Sequence, residues 1–215
     1  MTKPIIIYGA GGFGKEISLL INEINEVNPT WEILGYLDDG IPVGTFIKHG
    51  SVLGGIDFLN AYQNEVAVVF SIANAGILKK VVEKIANPNV YFPNIISPGV
   101  KFYEIESVKM GQGNVLINGC RLSCDVELGD FNLLNGFVAI GHDVKIGNYN
   151  IFSPSARLSG SVILKDQNFL GVNAIVLQGV TIGSNTKVGV MSVIMKDTKD
   201  GYLYFGNPAR KVLEQ

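Results

Sequence analysis

At 215 residues with 47% hydrophobic content, the chain is long enough for two modest globular domains, each with its own core. A formal net charge of −2, with Lys and Arg scattered along the chain, gives no basic field for nucleic acid. The early apolar run at residues 5–8 is too short for a membrane span and meets glycines at once, so neither anchor nor signal peptide is expected and the chain reads as cytoplasmic.

In chain order, residues 4–8 predict a short buried strand, Gly9-Ala10-Gly11-Gly12-Phe13-Gly14 matches G-x-G-x-x-G, and residues 15–25 carry helical spacing at Ile17, Leu20, Ile21 and Ile24. Strand, glycine turn and helix start together aim backbone N–H groups at an anion such as a pyrophosphate. Glycines that serve only tight helix–strand packing are the structural alternative. Residues 33–37 predict a second strand ending on Asp38-Asp39, a carboxylate pair placed for a ribose or sugar hydroxyl. A third strand is expected at residues 66–71, a helix at 75–85, and a segment at 90–96 that leads into the second half. This divides the chain into a Rossmann-like α/β domain at 1–95 and a second domain at 96–215. Three strands are few for a full dinucleotide site, so a nucleotide-linked ligand fits better than NAD.

The second half is periodic. Every sixth residue from Met110 to Ile194 is apolar, through Leu116, Leu122, Leu128, Leu134, Ile140, Ile146, Phe152, Leu158, Leu164, Leu170, Val176, Ile182 and Val188. A period of six fits neither a helix nor a free strand, but it fits short strands joined by tight corners, each strand sending one side chain inward. Columns eighteen apart support this, in Asn114, Asn132, Asn150, Asn168 and Thr186, in Val108, Val126, Val144, Val162 and Val180, and in Cys120, Val138, Ala156, Ala174 and Ser192. Three strands thus make one coil, and about five coils of a parallel β-helix are expected, roughly 24 Å long at the strand spacing. Stacked Asn side chains are expected to form a hydrogen-bonded ladder. Gly111, Gly129, Gly141, Gly147, Gly171, Gly183 and Gly189 are expected at corners, where backbone freedom is useful.

The two cysteines, Cys120 and Cys124, lack partners for a metal site and read as reduced structural thiols. With only two His, the chain cannot supply the three that a γ-class carbonic anhydrase needs. His49 reads as a solvated loop residue. His142 interrupts the repeat at a corner, with Cys124 one coil below and Gly160 one coil above. Its neighbour Asp143 is a candidate to orient the imidazole and raise its basicity, although side chains adjacent in sequence need not face each other. A base of this kind suits acyl transfer from a thioester to an amine or hydroxyl. Two other classes stay open from the residues alone: a cofactor-dependent redox module on a β-helical scaffold, and a non-catalytic assembly module.

Taken with Gly35-Tyr36-Leu37, Leu134-Asn135, Ile146-Gly147 and the tail Gly206-Asn207-Pro208-Ala209-Arg210, these motifs resemble the bacterial hexapeptide-repeat sugar acetyltransferases. That group joins a small nucleotide-binding-like domain to a left-handed β-helix, and it includes sialic acid O-acetyltransferases and nucleotide-4-amino-sugar N-acetyltransferases. The resemblance implies acetyl-CoA as co-substrate, no metal, and a homotrimer with active sites between subunits. It makes His142 the general base, Asp143 the acid that tunes it, and Asn135 a polar group of the same site. Acetyl-CoA would lie beside Gly171, Val172, Gly189 and Val190, with the tail nearby. Ile151 would be near the acetyl group, standing where relatives often carry a second His. The nucleotide sugar would meet Gly11, Gly12, Phe13, Asp38 and Asp39. The implied activity is N-acetylation of a UDP- or dTDP-4-amino-4,6-dideoxy sugar for surface glycan synthesis, by direct transfer. The alternative is O-acetylation of the sialic acid type.

Overall fold

The computed structural model describes residues 2–212, and the chain divides into two compact units, Met1–Pro98 and Gly99–Gln215. The first unit runs β1 (Lys3–Tyr8), α1 (Gly12–Val27), β2 (Trp31–Leu37), β3 (Phe46–Ile47), β4 (Gly50–Gly54), α2 (Ile56–Ala61), β5 (Val66–Phe70), α3 (Ala75–Glu83) and β6 (Val90–Tyr91). Its sheet has six strands in the order β3-β4-β2-β1-β5-β6, all parallel except the β3–β4 hairpin. Ile5, Ile6 and Ile7 on the central strand are fully buried, as expected for a parallel strand covered on both faces. The sheet is wider than the three strands expected. The hairpin escaped the sequence because Phe46–Ile47 is only two residues long and Gly50–Gly54 is glycine-bounded, which hides any alternation.

Gly14 on α1 touches the Gly9 carbonyl so closely that a Cβ would collide with it, so this glycine serves helix–strand packing. His49 sits in the β3–β4 turn against α1 rather than in open solvent. The Ser18 hydroxyl donates to the Lys15 carbonyl, so it accepts from His49 Nδ1 at 2.9 Å, while Asn22 Nδ2 lies 3.2 Å from His49 Nε2. Tyr36 is fully buried on β2, and its hydroxyl has no hydrogen-bond partner among the described residues. Removing a buried unpaired hydroxyl relieves its desolvation cost, so Tyr36→Phe is expected to raise stability by about 1 kcal/mol, measured by urea unfolding.

The second unit is a left-handed parallel β-helix of two-residue strands stacked in three ladders. The first ladder holds Lys109–Met110, Glu127–Leu128, Lys145–Ile146, Ile163–Leu164 and Thr181–Ile182. The second holds Lys101–Phe102, Arg121–Leu122, Ala139–Ile140, Arg157–Leu158, Ile175–Val176 and Val193–Ile194. The third runs from Val115–Leu116 through Leu133–Leu134, Ile151–Phe152, Phe169–Leu170 and Lys187–Val188 to Leu203–Gly206, where an antiparallel strand, Ala209–Val212, ends the described chain. Of the six-residue series, every member from Leu116 to Ile194 is buried and only Met110, at the open end, is partly exposed. Each buried Leu or Ile contributes on the order of 2 kcal/mol. The Asn column forms the expected ladder: Asn132 and Asn150 each donate N–H and Nδ2 to the Oδ1 one coil below at 2.9 and 3.0 Å, and Thr186 N–H ends it on Asn168 at 2.7 Å.

The corners differ from expectation in their chemistry. Left-handed backbone occurs at every sixth residue from Gly113 to Met191, and only Gly113, Gly119 and Gly179 among these are glycine. The rest include Asp125, Phe137, Asp143, Ser161 and Met191. A left-handed non-glycine residue costs about 1 kcal/mol, offset here because each such N–H meets an acceptor one coil back, the Ser107 hydroxyl at 2.9 Å for Asp125 and a backbone carbonyl for the others, as Ser161 does on His142 at 2.8 Å. The glycines singled out by sequence, such as Gly141 and Gly171, have no positive φ. Their need is space: a Cβ on either would lie 2.7 Å from a backbone nitrogen of the next coil.

Candidate active site

Ile140 turns inward at the end of its strand, Gly141 fits under the next coil, and the chain then leaves the ladder at His142 with its side chain half exposed. Asp143 occupies the left-handed corner, φ 58°, and its Oδ2 lies 2.7 Å from His142 Nδ1. The neighbouring coils share this corner geometry, so the pairing follows from the scaffold rather than from special strain. Nδ1–H donating to the carboxylate leaves the Nε2 lone pair as the proton acceptor, and Nε2 has no partner among the described residues.

The imidazole lies over Gly160 of the next coil, where a Cβ would sit 2.5 Å from Nε2. Gly160 is buried beneath the ring, and its N–H finds no acceptor among the described residues. Buried N–H groups are almost always paired. The Gly160 N–H is thus a donor without an acceptor among the described residues, on the glycine that seats the imidazole. Stepping eighteen residues from His142 locates Gly160 in the sequence, but only hydrogen-bond accounting in three dimensions reveals the unused donor.

Asn135 lies at the preceding corner, half-buried, with Oδ1 accepting the Gly136 N–H at 2.7 Å. The third-ladder register stacks it in one column with Gly171 and Gly189, one residue before Val172 and Val190, so four of the residues expected at the cofactor share its corner rather than that of His142. Val172 and Val190 are exposed and give this corner an apolar edge, while the Phe205 ring covers Gly189. The tail residues Pro208, Ala209 and Arg210 wall a cavity of about 270 Å³ with Met195, Lys196 and Tyr204. Ile151 is only 2% exposed, so its side chain offers no surface to a cofactor.

In the first unit Gly11 and Gly12 are exposed with open space around them, and Phe13 is half-buried. The two carboxylates after β2 are largely committed to the fold. Asp38 accepts from the N–H groups of Ala10, Gly40 and Ile41 at 3.0, 2.9 and 3.1 Å, tying the glycine turn to the next loop. Asp39 accepts the Ile56 N–H at 3.1 Å and the Tyr8 hydroxyl at 2.8 Å. Burial, and then the Asp39 hydrogen bond and charge, raise the Tyr8 hydroxyl far above the usual phenol range, so it stays a donor. Asp38 and Asp39 edge an open cleft of about 440 Å³ with Val43, Gly55 and Asp57.

Burial pushes the Cys120 thiol up to about 11, which removes it as a nucleophile. Cys124 is half-buried, with only a long contact at 4.0 Å from the Ser123 hydroxyl. Among the described residues no group of three or more His, Cys, Asp or Glu could hold a metal ion, and no helix is long and apolar enough to cross a membrane.

No curated protein sequence matches the chain. Residues 4–85 match the PglD N-terminal domain family. A mutant of perosamine N-acetyltransferase from Caulobacter crescentus, solved with CoA and GDP-perosamine, is 25% identical over 100% of this chain and 99% of its own, with a TM-score of 0.85. The acetyltransferase domain of PglB from Neisseria gonorrhoeae, solved with acetyl coenzyme A, is 25% identical over 99% and 100% of the two chains, with a TM-score of 0.86. WeeI from Acinetobacter baumannii is 29% identical over 98% and 100%, with a TM-score of 0.85. Residues 4–85 are thus similar to the PglD N-terminal domain family, and the whole chain shares its fold with sugar N-acetyltransferases of the hexapeptide-repeat type.

Proposed function

We propose that this protein is an acetyl-CoA-dependent N-acetyltransferase acting on a nucleotide-linked amino sugar for glycan synthesis. The observation that carries the chemistry is the His142–Asp143 pair beside the orphan N–H of Gly160. His142 Nε2 takes a proton from the sugar amine as its nitrogen attacks the thioester carbonyl, and Asp143 stabilises the imidazolium that forms. The carbonyl oxygen, gaining charge as the C–N bond forms, accepts from Gly160 N–H. The C–S bond then breaks and the imidazolium returns the proton to the departing thiolate, so no acyl-enzyme is needed. This assignment gives the thioester a donor without a second His at position 151. Likeness to proteins solved with GDP-perosamine favours an amine over the hydroxyl of a sialic acid.

Acetyl-CoA is proposed to run along the corner of Val172 and Val190, with Asn135 on its path. Gly11, Gly12 and Phe13 are proposed to meet the nucleotide, with Asp38 and Asp39 shaping that cleft rather than binding through free carboxylates. A homotrimer and a cytoplasmic location complete the proposal. Thiol release from acetyl-CoA, assayed against nucleotide-linked 4-amino sugars and free sialic acids, tests it. Release with an amino sugar is expected, and release only with sialic acids would move the assignment to O-acetylation.

The seat under the imidazole gives a second check. Gly160 has an ordinary backbone, so alanine is tolerated conformationally, yet its methyl would push the ring aside. Gly160→Ala is expected to lower kcat by at least about tenfold through misplacement of the base, with melting temperature little changed. Kinetics together with a thermal melt measure both.

A further inference from the structure

Two faces of the β-helix carry charge in opposite ways. On the first ladder Lys109, Glu127 and Lys145 alternate outward, and Glu127 pairs with the two lysines at 3.3 and 3.7 Å. On the second ladder the outward positions run Lys101, Arg121, Ala139 and Arg157 by register, with no acid among them. Arg121 and Arg157 are exposed and make no ion pair or side-chain hydrogen bond among the described residues. Like charges on directly paired strands, as at Lys101 and Arg121, cost stability. An anion lying on this face would offset that cost.

The spacing makes a notch. Arg121 and Arg157 stand two strands apart, ~10 Å, with the small Ala139 between them. The strand of Ala139 leads within three residues to His142, and Arg157 is on the coil whose Gly160 seats the imidazole. Both arginines therefore stand on the ladder whose next corner carries the base.

We infer that Arg121 and Arg157 grip an anionic group of the acceptor sugar, either the diphosphate that links it to a nucleoside or the carboxylate of a free acidic sugar. This rests on the proposed acetyl transfer and makes the two arginines specificity residues for its acceptor. The planar guanidinium matches the paired oxygens of either group. Reach favours the acceptor over the acyl donor: an amine on C4 of a hexose is about six bonds from the nearer phosphorus, whereas the CoA sulfur is about thirteen bonds from its diphosphate.

The test is steady-state kinetics and calorimetry on the full chain with Arg121→Gln, Arg157→Gln, the double variant, and Lys109→Gln on the ion-paired face as control. Each arginine variant is expected to raise acceptor KM about tenfold, the effect of one lost charge-assisted contact, while the KM for acetyl-CoA and the control stay at wild-type values. Inorganic diphosphate should compete with the acceptor in the wild type and lose its binding in the double variant. A nucleotide-linked sugar as best acceptor identifies the diphosphate as the group held, and a free sialic acid identifies the carboxylate. A shift in acetyl-CoA KM instead, an acceptor KM within twofold of wild type, or altered oligomeric mass in the arginine variants would overturn the inference. If the wild type releases thiol with no acceptor, the proposed reaction fails by itself. Calorimetry with diphosphate still decides the notch, since equal binding by wild type and double variant removes it.

Discussion

His142→Ala is expected to lower turnover at least ~100-fold, the usual contribution of a positioned base, while the β-helix forms normally. The side chain is half exposed and takes no part in the inward-facing column, so its removal opens no cavity. What is lost is the one lone pair held in place by Asp143 at 2.7 Å and by the surface of Gly160. Thiol release at saturating acetyl-CoA and acceptor measures the loss, with circular dichroism as the check on folding. Turnover within a few-fold of wild type would exclude His142 as the base and, with it, the direct-transfer scheme.

Leu134→Asp is expected to prevent soluble folding. Leu134 is fully buried on the third ladder, paired with Leu116 below and Phe152 above. The change deletes about 2 kcal/mol of apolar burial and adds a carboxylate with no cation or donor at hand, a cost of several kcal/mol more. Each coil packs only on its neighbours, so the damage cannot be spread through the stack. Soluble expression and circular dichroism read the outcome, and a well-folded variant would contradict the inward orientation of the six-residue column.

The inward column was legible because burial imposes one apolar side chain per strand, and a period survives in sequence whenever the same constraint recurs. The Asn ladder was legible for the same reason. The left-handed corners were not, since Asp143, Ser161 and Met191 carry no shared side-chain chemistry; the constraint there acts on backbone hydrogen bonds between coils. The β3–β4 hairpin was too short to leave a pattern, and His49 looked like a loop residue because its partners Ser18 and Asn22 lie on α1, distant in sequence.

By itself the sequence determined the coil, its period and the inward side chains, and it set His142 beside Asp143, because these follow from local repetition. Only the tertiary structure decided that the imidazole meets that carboxylate, that Gly160 both seats the ring and keeps an unused N–H, and that Asp38 and Asp39 are spent on backbone N–H groups and the Tyr8 hydroxyl. It alone decided also that Ile151 is closed off. Each of these depends on which atoms of separate coils or loops come within hydrogen-bonding or van der Waals distance, and that is a property of the stacked chain.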